Sequence, residues 1–224
     1  MLEFTRYAGG GPDRVAASID TLVIAGWTGR DESAIRHHIE ELAAIGVPRP
    51  SAVPLFYRVA ATQLTQTDKL QVLGPDSSGE AEPVVVALDD GLWLGVGSDH
   101  TDRKAESISV ALSKQLCGKV IGTELWRLDE VIADWDKLIL RSHAEFDGRR
   151  TLYQEGPLAA MRTPADLMTR YGKPLPPGTA MFCGTLGAKG GIRPSTRFEM
   201  EIEDPKRRRF LRHAYAIEAL PVIA

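Results

Sequence analysis

With 224 residues, 43% of them apolar and 25% charged, the chain has the makeup of a globular protein long enough to bury a core without staples. A net charge of -3 argues against a nucleic-acid partner, and two cysteines, Cys117 and Cys183, at no metal-type spacing argue against a disulfide framework. Met1 to Arg6 lacks a basic-then-apolar leader, and no stretch reaches the apolar length of a membrane span, so a cytoplasmic setting without a membrane partner is expected.

In chain order, the apolar runs at 15–19 and 21–25 lie between turn residues and are read as strands. From Glu32 to about Ile45, the apolar residues Ile35, Ile39, Leu42 and Ala43 recur at helical spacing. Asp31 or Ser33 can cap that helix, and Gly46 followed by Pro48 ends it. Beyond Pro54 the signals turn to strand, at 56–59, 82–88 and 91–96. A second helix is predicted over 104–116 and a short helix or turn over 129–135. Residues 138–146 read as a strand entering a hairpin at Asp147-Gly148. A helix at 164–171 precedes a proline-rich connection, and strands follow at 179–183, 197–203 and 213–219. The expected class is β-rich α+β with a few peripheral helices, as one domain over residues 1–224.

Within this frame the chemical signal is Glu80 and Glu82. Side chains two apart on a strand share a face, so the two glutamates converge, and Asp99 in Ser98-Asp99-His100-Thr101-Asp102-Arg103 can close the set. Packed carboxylates raise one another's pKa, a cost that a divalent cation removes. Three hard oxygens suit Mg²⁺ or Mn²⁺, and Ca²⁺ falls within the same ligand chemistry. The competing reading is an exposed acidic turn, because the turn-forming residues 74–79 directly precede Glu80.

Several stretches together resemble the fumarylacetoacetate hydrolase superfamily, from about Gly26 to the end. A His-x-x-Glu on the first helix (His38 and Glu41) is followed by Pro48, Pro50, Pro54 and Phe56. Glu80-Ala81-Glu82 is similar to the family's Glu-x-Glu, and Ser98 to Arg103 to its Asn-Asp-x-Ser-Ala-Arg. Gly118-Lys119-Val120-Ile121-Gly122-Thr123 resembles its Gly-Lys-x-x-Gly-Thr. Phe146-Asp147-Gly148-Arg149 resembles its central hairpin, while Pro177-Gly178-Thr179 and Gly184-Thr185 look like its Pro-Gly-Asp and Gly-Thr. Ser98 stands where the family has Asn, no Gly-x-Asn-Tyr precedes the lid, and the spacer from Glu82 to Asp99 is short.

The resemblance implies a mixed β-sandwich or roll, a lid helix at 31–46, a homodimer, and a metal held by Glu80, Glu82 and Asp99. The substrate it implies is a small oxo acid or 1,3-diketone, whose C–C bond is hydrolysed; relatives decarboxylate, hydrate or isomerise such acids instead. His38, oriented by Glu41 three residues on, becomes the base for a water, with His37 and Glu40 as a competing register. Lys119 supplies a cation near developing negative charge. Arg103, Gly184 and Thr185 become substrate contacts. Each role has a plainer counterpart: a solvated helix face, a surface lysine, a helix-start ion pair, a flexible glycine-rich connection.

Other features point away from further sites. The glycine-rich 184–190 lacks the order of a P-loop and is followed by Pro194. Lys206-Arg207-Arg208-Arg209 is read as facing Glu199, Glu201 and Glu203 in a charged hairpin. Cys183 lies in an apolar run and is read as a buried thiol, and His100 is expected to point away from Asp99.

Overall fold

Val84 and Val86 point to one side of their strand, Val85 and Ala87 to the other, and all four are buried. The strand Ala81–Leu88 therefore sits inside a sheet covered on both faces. The computed structural model describes residues 1–44 and 49–223, apart from the side chains of His38, Glu41 and Leu42. Its larger sheet has ten strands. The main path runs Gly11–Ala17, Leu2–Ala8, Glu124–Arg127, Gly91–Ser98, Ala81–Leu88, Thr179–Phe182, Thr21–Gly26, Leu55–Val59. Lys119–Ile121 joins it alongside Gly91–Ser98, and Leu64–Thr65 pairs with Lys119–Ile121.

Two apolar layers explain this arrangement. One mixes residues of both sheets, such as Val85, Leu94 and Trp126 with Leu140, Met200 and Tyr215, and is the filling between them. The other takes all its buried members from the larger sheet, including Phe4, Leu22, Ile24, Val84, Ile121 and Phe182, so that sheet rolls around its own apolar face. The second sheet has five strands in the order Arg149–Pro157, Ile139–Phe146, Arg197–Asp204, Arg209–Leu220, Lys69–Leu73. Both sheets mix parallel and antiparallel pairs. The class is β-rich α+β, a mixed sandwich and roll with peripheral helices.

The first helix spans Glu32–Ala44, and Asp31 caps it by accepting from the Ser33 and Ala34 N–H groups. Pro164–Tyr171 is helical as predicted, opened by Thr163 and closed by Gly172 at φ 84°. Asp147 and Gly148, at φ 51° and 73°, form the predicted hairpin turn. Among the described residues, no helix is long and apolar enough to cross a membrane.

Three expectations change. The helix predicted at 104–116 is two, Arg103–Glu106 and Val110–Leu116, because Ser109 caps a fresh start by accepting from the Leu112 N–H. Leu2–Ala8 is a strand that no apolar run announces; it pairs with Gly11–Ala17, and its Arg6 binds Asp13 and Asp90. The basic run does not face the three glutamates. Lys206 and Arg207 pair with Asp134, and Arg207 and Arg209 with Asp204. Glu199, Glu201 and Glu203 instead pair with arginines of their own sheet: Arg150 with Glu199, Arg212 with Glu201, and Arg141 with Glu201 and Glu203. Lys206, Arg207 and Arg208 lie in the turn beyond the ladder, and Arg209 stands opposite Asp204 at its last rung.

Both cysteines are free and buried. Burial pushes the Cys117 thiol up to about 11, and burial with the nearby Glu82 charge pushes Cys183 up as well. Neither is therefore a thiolate at neutral pH. A colourimetric thiol reagent at pH 8 is expected to label no cysteine in the native protein and both after denaturation; labelling of the native protein would contradict this burial.

Candidate metal centre

Strand register assembles the site. In the ladder between Ala81–Leu88 and Gly91–Ser98, Ala81 pairs with Ser98 and Glu82 with Gly97. The Asp99 N–H donates to the Glu80 carbonyl at 3.0 Å, extending the pairing one step. Glu80 and Glu82 keep the parity of Val84 and Val86, and Asp99 that of Gly95 and Gly97, so all three carboxylates emerge on the rolled face of the sheet. Their oxygens come within 4.8 Å of one another. Glu82 and Asp99 are buried and Glu80 is half-buried.

Cations close around this cluster. Lys119–Ile121 runs antiparallel to Gly91–Ser98, with Val120 opposite Ser98, which brings Lys119 beside Asp99. The Lys119 Nζ lies 3.1 Å from Asp99 Oδ1 and donates to the His100 carbonyl at 2.5 Å. Lys114 Nζ donates to Asp99 Oδ2 and stands 3.9 Å from Glu80 Oε2. Arg103 Nη2 is 3.0 Å from Glu80 Oε1, while its Nε donates to Ser78 Oγ at 2.7 Å. The Gly184 N–H donates to Glu82 Oε2 at 2.7 Å.

The resulting electrostatics are uneven. Burial alone would raise the Asp99 carboxyl, but Lys114 and Lys119 outweigh it and hold it down to about 2. Glu82 is pushed well above the ordinary carboxylate range by burial, then by the charges of Asp99 and Glu80. His100 faces the other way, between Tyr215 Oη and Ser77 Oγ, each at 2.9 Å, and burial lowers it to about 3, so its imidazole is neutral.

Two features fit a hard divalent ion. Asp99 Oδ1 is buried with the Lys119 ammonium at 3.1 Å as its partner among the described residues, which leaves acceptor capacity on a buried anionic oxygen that a cation can take up. Glu82 is held above the ordinary carboxylate range by burial and by its two acidic neighbours, a cost that a cation between them would remove. An adjoining cavity of about 410 Å³ opens from the cluster, with Arg103 and Lys114 on its wall near Glu80 and Glu82, and with Trp27, Tyr57, Gln154 and Leu186 also lining it. A larger cavity, about 900 Å³ beside Glu145, Asp147 and Arg193, contains none of the three carboxylates.

The remaining predicted residues fall as follows. The side chains of His38 and Glu41 lie outside the described residues; their backbone belongs to the helix Glu32–Ala44, and the alternative pair His37 and Glu40 is exposed. Gly184 and Thr185 reach the site, but their donors are engaged within the protein. The Thr185 hydroxyl donates to the Ala81 carbonyl at 2.8 Å, as the Gly184 N–H does to Glu82. Both thus shape the strand end that bears the glutamates. Sequence reasoning missed Gln154, whose Nε2 donates to Thr185 Oγ1 and whose Oε1 accepts from the Ala81 N–H, tying the second sheet to this corner. It also missed Lys114. The available signal was a lysine five residues after the Ser109 cap, on a helix beginning eleven residues past Asp99.

A protein-family model described as "Protein of unknown function (DUF2848)" matches residues 25–215. No curated protein matches the chain by sequence. Solved structures are similar in fold. A putative fumarylacetoacetate isomerase/hydrolase from Oleispira antarctica aligns with a TM-score of 0.68 at 15% identity, over 97% of this chain and all of that one (100%). A putative fumarylacetoacetate hydrolase family protein from Yersinia pestis CO92 aligns at 0.63 and 14% identity, over 96% and 100%. A 2-keto-3-deoxy-D-arabinonate dehydratase complexed with magnesium and 2,5-dioxopentanoate aligns at 0.65 and 14% identity, over 93% and 84%. The architecture is that of the fumarylacetoacetate hydrolase fold.

Proposed function

The chain belongs to the family described as "Protein of unknown function (DUF2848)", and from its acidic cluster we propose a divalent-metal-dependent enzyme that hydrolyses a C–C bond in a small oxo acid or 1,3-diketone. The observation that carries this reading is three buried or half-buried carboxylates, from two neighbouring strand ends, with oxygens within 4.8 Å of one another. Glu80, Glu82 and Asp99 would hold Mg²⁺, Mn²⁺ or Ca²⁺. Bound there, such an ion supplies Lewis-acid polarisation of a carbonyl.

The rest falls to the chain's own residues. Arg103 and Lys114, on the cavity wall, offer cationic ends to the carboxylate of an oxo acid. Lys119 holds Asp99 in place, and Gly184 holds Glu82. Trp27, Tyr57 and Leu186 limit water at the reacting bond. His38, oriented by Glu41, takes the proton of the attacking water in this reading; His37 with Glu40 is the alternative. The balance is simple: hydroxide oxygen joins the acyl carbon, and the departing carbon takes a proton. A homodimer in the cytoplasm belongs to the same proposal.

A second reading, loss of water or CO₂ from a 2-oxo acid on the same cluster, is supported by the dehydratase of the same fold. Incubation with Mn²⁺ or Mg²⁺ and an acylpyruvate, oxaloacetate or a 2-keto-3-deoxy acid separates the two. The expected result is pyruvate plus a carboxylic acid from the acylpyruvate. Release of CO₂ or water alone sinks the hydrolase version. No turnover and no metal-induced rise in Tm would leave a non-catalytic binding protein.

A further inference from the structure

The proposed metal site already contains a buried cation set against two of its three carboxylates. Lys114 rises from Val110–Leu116, a short helix with inverted polarity: Leu112 and Leu116 are 45% and 50% exposed, while Ser113 and Lys114 are 0% and 6% exposed. Turning two leucines to solvent to bury an ammonium is unfavourable unless that ammonium is strongly paired. Its partners are Asp99 Oδ2, to which Nζ donates, and Glu80 Oε2 at 3.9 Å. Those two residues are served elsewhere, Asp99 Oδ1 by Lys119 at 3.1 Å and Glu80 Oε1 by Arg103 at 3.0 Å. Among the described residues Glu82 forms no ion pair, and Gly184 alone binds its Oε2. Lys114 thus brings the cluster to three carboxylates and three cations.

A divalent ion reaching Glu80, Glu82 and Asp99 would meet this ammonium on two of its three ligands, and like charges at that separation repel strongly where water is scarce. An exit exists. Lys114 lines the cavity, where Nζ is already 5.8 Å from the centre of the Tyr57 ring, a face that attracts cations.

We propose that Lys114 is the cluster's built-in counter-cation, which holds the Asp99–Glu80 edge without metal and competes with a divalent ion for it, yielding by turning into the cavity toward Tyr57. Metal affinity is then set by this lysine as much as by the carboxylates. The inference rests on the metal reading of the cluster, and its test separates the two.

Mn²⁺ binding without substrate, read from the free-ion electron paramagnetic resonance signal, is compared among wild type, Lys114→Met, Lys114→Gln and Lys114→Arg. Both neutral variants are expected to bind Mn²⁺ about tenfold more tightly or better, with a lower metal-free Tm and a larger Mn²⁺-induced rise than wild type. Lys114→Arg, which keeps the charge, is expected to stay close to wild type. Unchanged or weaker binding in both neutral variants overturns the proposal but leaves the metal reading intact, since wild type still binds. Tightening by Lys114→Arg equal to that of the neutral variants also overturns it, because shape rather than charge would be responsible. A neutral variant that folds neither without Mn²⁺ nor with it sinks the idea too. Absence of Mn²⁺ binding in all four proteins removes both this inference and the metal site.

Discussion

Glu82→Gln will make the metal-free protein more stable and abolish its response to Mn²⁺. Glu82 is buried beside Asp99 and Glu80, and burial with their two charges raises its carboxyl well above the ordinary range. A carboxyl raised by folding binds its proton more tightly in the native than in the unfolded state. Its stability is therefore complete below the unfolded pKa and declines as pH rises toward the folded one. Above the ordinary carboxylate range the native state bears the penalty of crowding a carboxyl that the unfolded chain ionises freely. Glutamine keeps the shape and still accepts the Gly184 N–H, but it carries no charge. The expected gain is about 1–3 kcal/mol, or about 2–4 °C in Tm for each kcal/mol in a chain of this size. Loss of one of three ligands removes the Mn²⁺-induced rise and lowers any metal-dependent turnover by at least about a hundredfold. Thermal melts with and without Mn²⁺, repeated from pH 5 to 8, check both signs. A lower metal-free Tm with an intact Mn²⁺ response would show that Glu82 is not a ligand.

Gly184→Ala will be destabilising through two separate costs. At φ 98° the backbone lies where L side chains are strained, and an added Cβ would sit 1.6 Å from Thr28 Oγ1 and 2.7 Å from Thr28 Cβ. The clash is with a buried side chain rooted in backbone, which cannot swing aside. About 2–4 kcal/mol of stability should be lost. Any relaxation also draws the 184 N–H away from Glu82 Oε2, the 2.7 Å bond that aims this carboxylate. Combining it with Thr28→Gly should recover part of the loss, because the overlap disappears while the φ cost stays, and a double-mutant cycle measures the coupling. If Gly184→Ala melts within about a degree of wild type, the loop has another path available and the Gly184 bond does not position Glu82.

These two residues also mark how far each level of description reaches. That Glu80 and Glu82 share a face follows from the period of a strand, and Asp31, Thr163 and Asp147-Gly148 act as local caps and turns that the chain encodes within a few residues. The order of motifs from His38 to Thr185 carried the fold itself, as the solved structures with the same architecture bear out. Where the signal was mixed, as in the strand Leu2–Ala8 or the basic turn after Asp204, neighbours distant in sequence, Glu124–Arg127 and Asp134, settled the outcome.

The amino-acid sequence by itself determined the strand periods, the caps and turns, the acidic pair and the family of folds, because each depends on neighbours close along the chain or on motif order. Tertiary structure alone decided the rest. Lys119 faces Asp99 only through the pairing of Lys119–Ile121 with Gly91–Ser98, and Gly184 meets Glu82 only through the ladder of Thr179–Phe182 on Ala81–Leu88. Lys114 is buried against the expectation of helix periodicity, since attraction to Asp99 and Glu80 outweighs the exposure of Leu112 and Leu116. Charge pairing acts through space, and no local pattern records which distant anion will be near.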